Sequence, residues 1–140
     1  MIGILIISHN TLGQSLIECA VQMLNQPLPQ LRYLGLDHQA DPSALLPIAR
    51  QAVADINSGA GVLILTDMYG GSPSNLCTQL VDAGHIEAVA GVNLPMLIRA
   101  LTYREQSLAL MVSKAISGGS EGVLRLFSPS TTVIHAATTR

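Results

Sequence analysis

Three short tracts of this chain carry residue types that can do chemistry together. His9 follows the apolar run Ile2-Gly3-Ile4-Leu5-Ile6-Ile7 and Ser8. Asp67 follows a second apolar run, Val62-Leu63-Ile64-Leu65, and Thr66. Just beyond it comes Gly70-Gly71-Ser72-Pro73, a glycine-rich turn that opens a helix. If the two runs are neighbouring parallel strands, an imidazole, a carboxylate and a helix N-terminus meet at one sheet edge. An aspartate bonded to one ring nitrogen fixes the tautomer and leaves the other nitrogen's lone pair free to attack. It also stabilises the cationic ring that forms. An arriving phosphoryl group carries about −1.5 to −2 charge. The Gly70-Gly71-Ser72 backbone N–H groups and the Ser72 hydroxyl can seat it, with the helix dipole adding about 0.3–1 kcal/mol. The chemistry such a set supports is phosphoryl acceptance and transfer by a histidine.

Each piece has an ordinary counterpart when taken alone. His9 can be a polar strand end, Asp67 a turn residue, and Gly70-Gly71-Ser72-Pro73 a tight turn with a helix cap. Their convergence at one edge is what favours function. Rival motifs do not fit the same tract. A hydrolase elbow needs Gly-x-Ser-x-Gly, and Ser74 stands where the second glycine belongs. Neither Gly-x-Gly-x-x-Gly nor a Walker-type Gly-Lys-Ser/Thr is present. His38 emerges at the same sheet edge but too far across, His85 sits at the opposite edge and His135 in the tail, so all three read as surface residues. No ligand spacing suggests a metal.

The elements that must position these groups alternate between strand and helix. Residues 2–7 read as a strand, and Leu12, Leu16, Ala20 and Leu24 recur at helical spacing until Pro27 and Pro29. A short strand follows over 31–36. Asp41-Pro42 starts a helix, as N-cap and first helical residue, and Asn57-Ser58-Gly59 closes it. The third strand, 61–66, is apolar on both faces, as a central parallel strand should be. The spacing predicts a helix over 72–83, capped by Ser72 with Pro73 at the first position and ended by Gly84. A fourth strand over 86–92, a helix opened by Asn93-Leu94-Pro95 and a last helix running into Gly118-Gly119 complete the pattern, with a resumption through Val123 and Leu126. Such alternation gives βαβ units, hence an α/β fold with an open, doubly wound, mainly parallel sheet of order 2-1-3-4 and helices on both faces. In that order strands 1 and 3 are neighbours, and the crevice at their carboxyl ends is where such folds bind ligands.

Composition narrows the functional classes. A length of 140 residues fits one domain, and 49% hydrophobic against 11% charged residues favours a fully covered sheet, a large subunit interface, or both. A formal net charge of −2 gives no field to hold nucleic acid, and 3% aromatic residues with no Trp give no stacking platform. Mean hydropathy is +0.43, yet no stretch reaches the roughly 20 apolar residues of a membrane span. The N-terminal run lacks the basic start and cleavage site of a signal peptide, so it reads as a strand. Cys19 and Cys77, each in a helical pattern, read as two buried free thiols in a reducing cytoplasm.

The tracts Ile4-Leu5-Ile6-Ile7-Ser8-His9, Asp67 to Asn75 and Ala90-Gly91-Val92-Asn93-Leu94-Pro95-Met96-Leu97 together resemble the IIA domain of the mannose family. This is a component of the bacterial phosphoenolpyruvate-dependent sugar phosphotransferase system. The resemblance covers residues 1–127 and leaves 128–140 as a tail. It implies that His9 accepts a phosphoryl group from the phosphocarrier HPr and passes it to a IIB partner. It further implies that Asp67 orients His9, and that Gly70, Gly71 and Ser72 contact the phosphoryl oxygens. No dissociable cofactor is needed. Members of that family are typically homodimers that exchange a C-terminal antiparallel edge strand, for which Val133-Ile134 is the candidate. Two related readings stay open: a regulatory IIA protein whose phosphorylation state signals to another protein, and the phosphotransfer subunit of a dihydroxyacetone kinase. A flavodoxin-like ligand-binding domain using the same crevice is a reading of a different class.

Overall fold

The computed structural model describes residues 1–130; Val133, Ile134 and His135, invoked above, lie outside the described residues. Strands β1 (Gly3–His9), β2 (Leu31–Leu36), β3 (Val62–Thr66) and β4 (Ile86–Ala90) form one sheet in the order β2-β1-β3-β4. Every neighbouring pair is parallel. The connecting helices are α1 (Leu12–Leu24), α2 (Pro42–Ile56), α3 (Ser72–Thr78), α4 (Leu94–Thr102) and α5 (Leu108–Glu121).

Alternation along the central strands assigns the two faces. Ile4 and Ile6 of β1 and Leu63 and Leu65 of β3 pack with Ala20, Met96, Leu97, Ala100, Met111 and Ala115, so α1, α4 and α5 cover one face. Leu5, Ile7, Val62 and Ile64 pack with Ala49, Val53, Leu76 and Cys77, so α2 and α3 cover the other. The sheet is doubly wound, as the sequence predicts. Residues 3–8 of β1 and all of β3 are buried, because helices lie above and below them.

The N-terminal edge of β1 is held by an arginine. Arg104 is 5% exposed; its Nε donates to the Ile2 carbonyl at 3.1 Å and its Nη2 to the Gln30 carbonyl at 2.9 Å. The Arg104 carbonyl in turn accepts from the Ile2 N–H at 3.0 Å. Burial lowers the Arg104 pKa against the opposing pull of Glu105, and the guanidinium hydrogen bonds offset that cost.

Several helix limits differ from expectation. The N-cap of α3 is Gly71, not Ser72, and no side chain caps that end; Ser72 is the first helical residue and Pro73 the second. α3 also stops at Thr78 rather than 83. Gln79 and Leu80 donate to the carbonyls three residues back, at 3.2 and 2.9 Å, which tightens the last turn. Asp82 then pairs with Ile86 through reciprocal backbone bonds of 2.9 and 2.8 Å, and Gly84 turns at φ +84°. That tight turn leaves no chain to extend the helix. At the other end of the protein, Gly118-Gly119 does not stop α5, which continues to Glu121. These glycines are packing residues: a Cβ at Gly118 would stand 2.7 Å from Arg99 Cβ, and one at Gly119 2.8 Å from Met96 Cε. They let α4 and α5 lie close. Residues 123–127 form no helix, and Val123, Leu124, Leu126 and Phe127 are exposed. Cys77 is buried, but Cys19 is only half-buried on α1; both are free.

Candidate functional site

The register of the sheet sets the geometry. Ile7 pairs with Thr66 across the β1–β3 ladder, whereas β1 runs on to pair His9 with Leu36 of β2. His9 therefore ends β1 two residues beyond the last β3 pair, and Asp67, the first residue off β3, comes alongside it. The chain must turn at once after His9. Asn10 does so in the left-handed region at φ +48°, donating its N–H to the Leu36 carbonyl at 2.8 Å. Asparagine tolerates that region better than most residues. Gly35 makes room for the turn, since a Cβ there would collide with the Asn10 carbonyl oxygen. Behind His9, the buried Ser8 hydroxyl accepts the Gly13 N–H at 2.9 Å and ties the start of α1 to the end of β1.

The structure brings His9 and Asp67 into direct contact. Asp67 Oδ2 accepts the His9 backbone N–H at 2.9 Å and lies 2.8 Å from His9 Nδ1. An ionised carboxylate only accepts hydrogen bonds, so Nδ1 carries the proton and Nε2 keeps its lone pair. Asp67 Oδ1 accepts the Met68 N–H at 3.0 Å and stands 3.5 Å from the Thr66 hydroxyl. Burial pushes the Asp67 carboxyl up, but the His9 backbone N–H, the His9 ring and the Met68 N–H together outweigh it and hold the carboxyl below its ordinary 3.8. The Asp67 side chain is 11% exposed and that of His9 46%. The base is thus sheltered while the ring faces solvent.

Gly71 lies against the free side of that ring. A Cβ placed there would stand 3.1 Å from His9 Cε1 and 3.3 Å from Nε2. Its φ of −91° suits any residue, so glycine serves here for space rather than for backbone conformation. Gly70 differs: it turns at φ +94° with nothing within 4 Å of a would-be Cβ. The first helical bond of α3 runs from the Asn75 N–H to the Gly71 carbonyl at 3.0 Å. The N–H groups of Ser72 and Ser74 precede it and are not used by the helix. Ser72 is exposed at the same turn. The arrangement can hold an anion beside Nε2, between the imidazole and the opening turn of α3.

The remaining histidines stay apart. His38 is exposed in the loop after β2, and no hydrogen bond to the His9–Asp67 pair is found for it among the described residues; His85 is exposed before β4, at the other end of the sheet. No group of three His, Cys, Asp or Glu side chains among the described residues could hold a metal ion. No helix among them is long and apolar enough to cross a membrane. Sequence reasoning missed two features of the site. One is the contact of Gly71 with the ring, which has no one-dimensional signal. The other is Thr66, whose hydroxyl ends an otherwise apolar strand and could have been noticed as the odd residue there.

Comparison with known proteins agrees with this fold. The family described as "PTS system fructose IIA component" matches residues 3–116. The mannose-specific EIIAB component of Escherichia coli strain K12 is 31% identical over 128 residues, a stretch that covers 89% of this chain. The chain spans 39% of the length of that relative. Among solved structures, the mannose/sorbose-specific IIA subunit from Enterococcus faecalis superposes with a TM-score of 0.80 at 19% identity, covering 94% of this chain and 98% of that one. The EIIA component from Streptococcus agalactiae does so with 0.78 at 22%, covering 89% and 97%. At those identities the two structures speak for the fold, while the sequence match carries the family. The parallel order β2-β1-β3-β4, the match over residues 3–116 and the relationship to a mannose-specific component lead to one assignment: the chain belongs to the mannose/fructose-type IIA components of the phosphoenolpyruvate-dependent sugar phosphotransferase system.

Proposed function

We propose that this protein accepts a phosphoryl group from phosphorylated HPr on His9 Nε2 and passes it to a IIB partner in the cytoplasm. The observation that carries the reading is the single imidazole clamped at Nδ1 by Asp67, with Nε2 open toward Gly71. In the transfer, the Nε2 lone pair forms a bond to phosphorus. The bond from phosphorus to the donor's leaving atom breaks, and the donor keeps that electron pair. Nδ1 retains its proton, so the phosphorylated ring is cationic and its charge lies 2.8 Å from Asp67 Oδ2. Gly70, Gly71 and Ser72 offer backbone N–H groups and a hydroxyl to the phosphoryl oxygens. No cofactor takes part; position and charge stabilisation supply the catalysis. Transfer to IIB reverses the same steps. Exposed Met68 and Tyr69, in the turn that follows Asp67, give a protein partner an apolar rim to bury.

The test is incubation with phosphoenolpyruvate, enzyme I and HPr, followed by intact-protein mass spectrometry. One acid-labile phosphoryl group per chain is expected, and its disappearance on addition of a IIB protein completes the relay. A chain that stays unmodified while HPr is phosphorylated rejects the reading.

The two glycines of the turn make separable predictions. Gly71→Ala places a methyl group where the phosphoryl group must sit, and phosphorylation slows by about a hundredfold at unchanged fold stability. Gly70→Ala strains the backbone instead and costs roughly 1–2 kcal/mol of stability. Stopped-time phosphorylation and thermal melts on both variants decide the matter.

In this reading residues 1–127 form the phosphotransfer domain, and 128–140 supply an antiparallel strand exchanged within a homodimer. Support comes from β4, an edge strand that pairs only with β3 among the described residues, and from the exposed apolar side chains at 123–127. Deleting residues 128–140 is expected to convert a dimer of twice the 14.7 kDa chain mass into a monomer. Light scattering on the two forms checks it; an unaltered mass rejects the exchange.

A further inference from the structure

A buried hydroxyl stands behind the carboxylate that holds His9. β3 is apolar from Val62 to Leu65 and then presents Thr66, which is 2% exposed. Its backbone is fixed from both sides: it pairs with Ile7 of β1 and Ala90 of β4, and its carbonyl accepts from Gly91 and Val92 at 2.9 and 3.0 Å. Thr66 Oγ1 lies 3.5 Å from Asp67 Oδ1, at the long end for such a bond. Thr66 and Cys77, with Tyr69 and Ser74, line a cavity of about 250 Å³ between α3 and β4.

The direction of this bond follows from donor arithmetic. The carboxylate can only accept, so the single Thr66 proton goes to Oδ1. Burial raises the neighbouring Cys77 thiol to about 12, so it stays protonated at neutral pH and puts no second negative charge beside the carboxylate. A chain forms: Thr66 O–H to Asp67 Oδ1, and Asp67 Oδ2 to the two His9 donors.

We infer that Thr66 is a positioning residue that sets the rotation of the Asp67 carboxylate and through it the orientation of the His9 ring. Without the hydroxyl, Oδ1 would keep only the Met68 N–H as a donor among the described residues. The carboxylate could then turn away as positive charge develops on the ring, and transition-state stabilisation depends on dipoles that need not reorganise. The titratable groups acting on Asp67 are His9 from β1 and Cys77 from α3; Tyr69, in the turn between β3 and α3, lines the neighbouring cavity, to which β4 presents only Ala88, Val89 and Ala90. This role rests on His9 as the phosphoryl acceptor.

Thr66→Val removes the hydroxyl while keeping shape and strand preference, and Thr66→Ser keeps the hydroxyl. Two measurements on each variant separate the claims: carbon-13 titration of the Asp67 carboxyl in the free protein, and kcat and KM for phosphorylation by HPr. Thr66→Val is expected to raise the Asp67 titration by about half a pH unit. It is also expected to cut kcat about fivefold. KM stays unchanged, because a residue this buried cannot meet the partner. Thr66→Ser restores both. An unmoved titration with unmoved kcat in Thr66→Val overturns the inference, as does a loss that serine fails to rescue. If the wild type takes no phosphoryl group, the acceptor reading falls, and the Asp67 titration still decides whether Thr66 sets the carboxylate.

Discussion

Replacing His9 by glutamine is expected to abolish phosphoryl acceptance, lowering the rate by about ten-thousandfold or more, to the assay background. Glutamine is close in size and can still donate a hydrogen bond to Asp67, but its amide has no nucleophilic lone pair comparable to Nε2. The fold should persist, because the His9 side chain is 46% exposed and the strand is held by backbone pairing with β2. Radiolabel incorporation from phosphoenolpyruvate through enzyme I and HPr, with a thermal melt as control, reads both quantities. Label retained at wild-type level in the glutamine variant would move the acceptor to another residue.

Asp67→Asn should give the second-largest loss, about a hundredfold to ten-thousandfold in transfer rate. The amide is isosteric, yet it can donate as well as accept, so Nδ1 need no longer carry the proton. The wrong tautomer would then bury the lone pair that has to attack. Any phosphorylated ring that formed would also lose the negative charge 2.8 Å away. The variant carries a stability signature with a definite sign. The Asp67 carboxyl is held below its ordinary 3.8 in the folded state. Its ionisation therefore stabilises the fold above that pH, and the contribution fades as pH falls through the lowered folded value. Denaturant melts of wild type and Asp67→Asn should show a gap at pH 7 that narrows below about pH 4 and closes under more acid conditions. A gap independent of pH would mean that the loss comes from packing instead.

The fold was legible in the sequence to a large degree, and for identifiable reasons. Val62-Leu63-Ile64-Leu65 is apolar on both faces, which only a central, doubly covered strand requires, and Asp41-Pro42 and Asn93-Leu94-Pro95 carry their own capping chemistry. In the structure the Asp41 side chain accepts from the Ser43 N–H at 3.0 Å and that of Asn93 from the Met96 N–H at 2.9 Å. Where the reading failed, a local rule met a tertiary contact. Gly118-Gly119 resembles a helix stop but lies inside α5, because α4 presses too close for side chains at those positions. Ser72-Pro73 resembles a cap and first residue, yet the backbone enters α3 one residue earlier, at Gly71. Gly84 looks like a helix terminator, whereas α3 has already closed at Thr78 and the glycine serves the Asp82–Ile86 turn.

By itself the sequence determined which residue types stand at strand ends and helix starts, and hence that an imidazole, a carboxylate and a glycine turn leave the sheet on the same side. Hydrophobic periodicity and capping are local, and both are written in consecutive residues. Only the tertiary structure decided which ring nitrogen is free and that Gly71 is small to clear it. Those facts depend on register between strands far apart in the chain, where a shift of one residue turns every side chain to the opposite face.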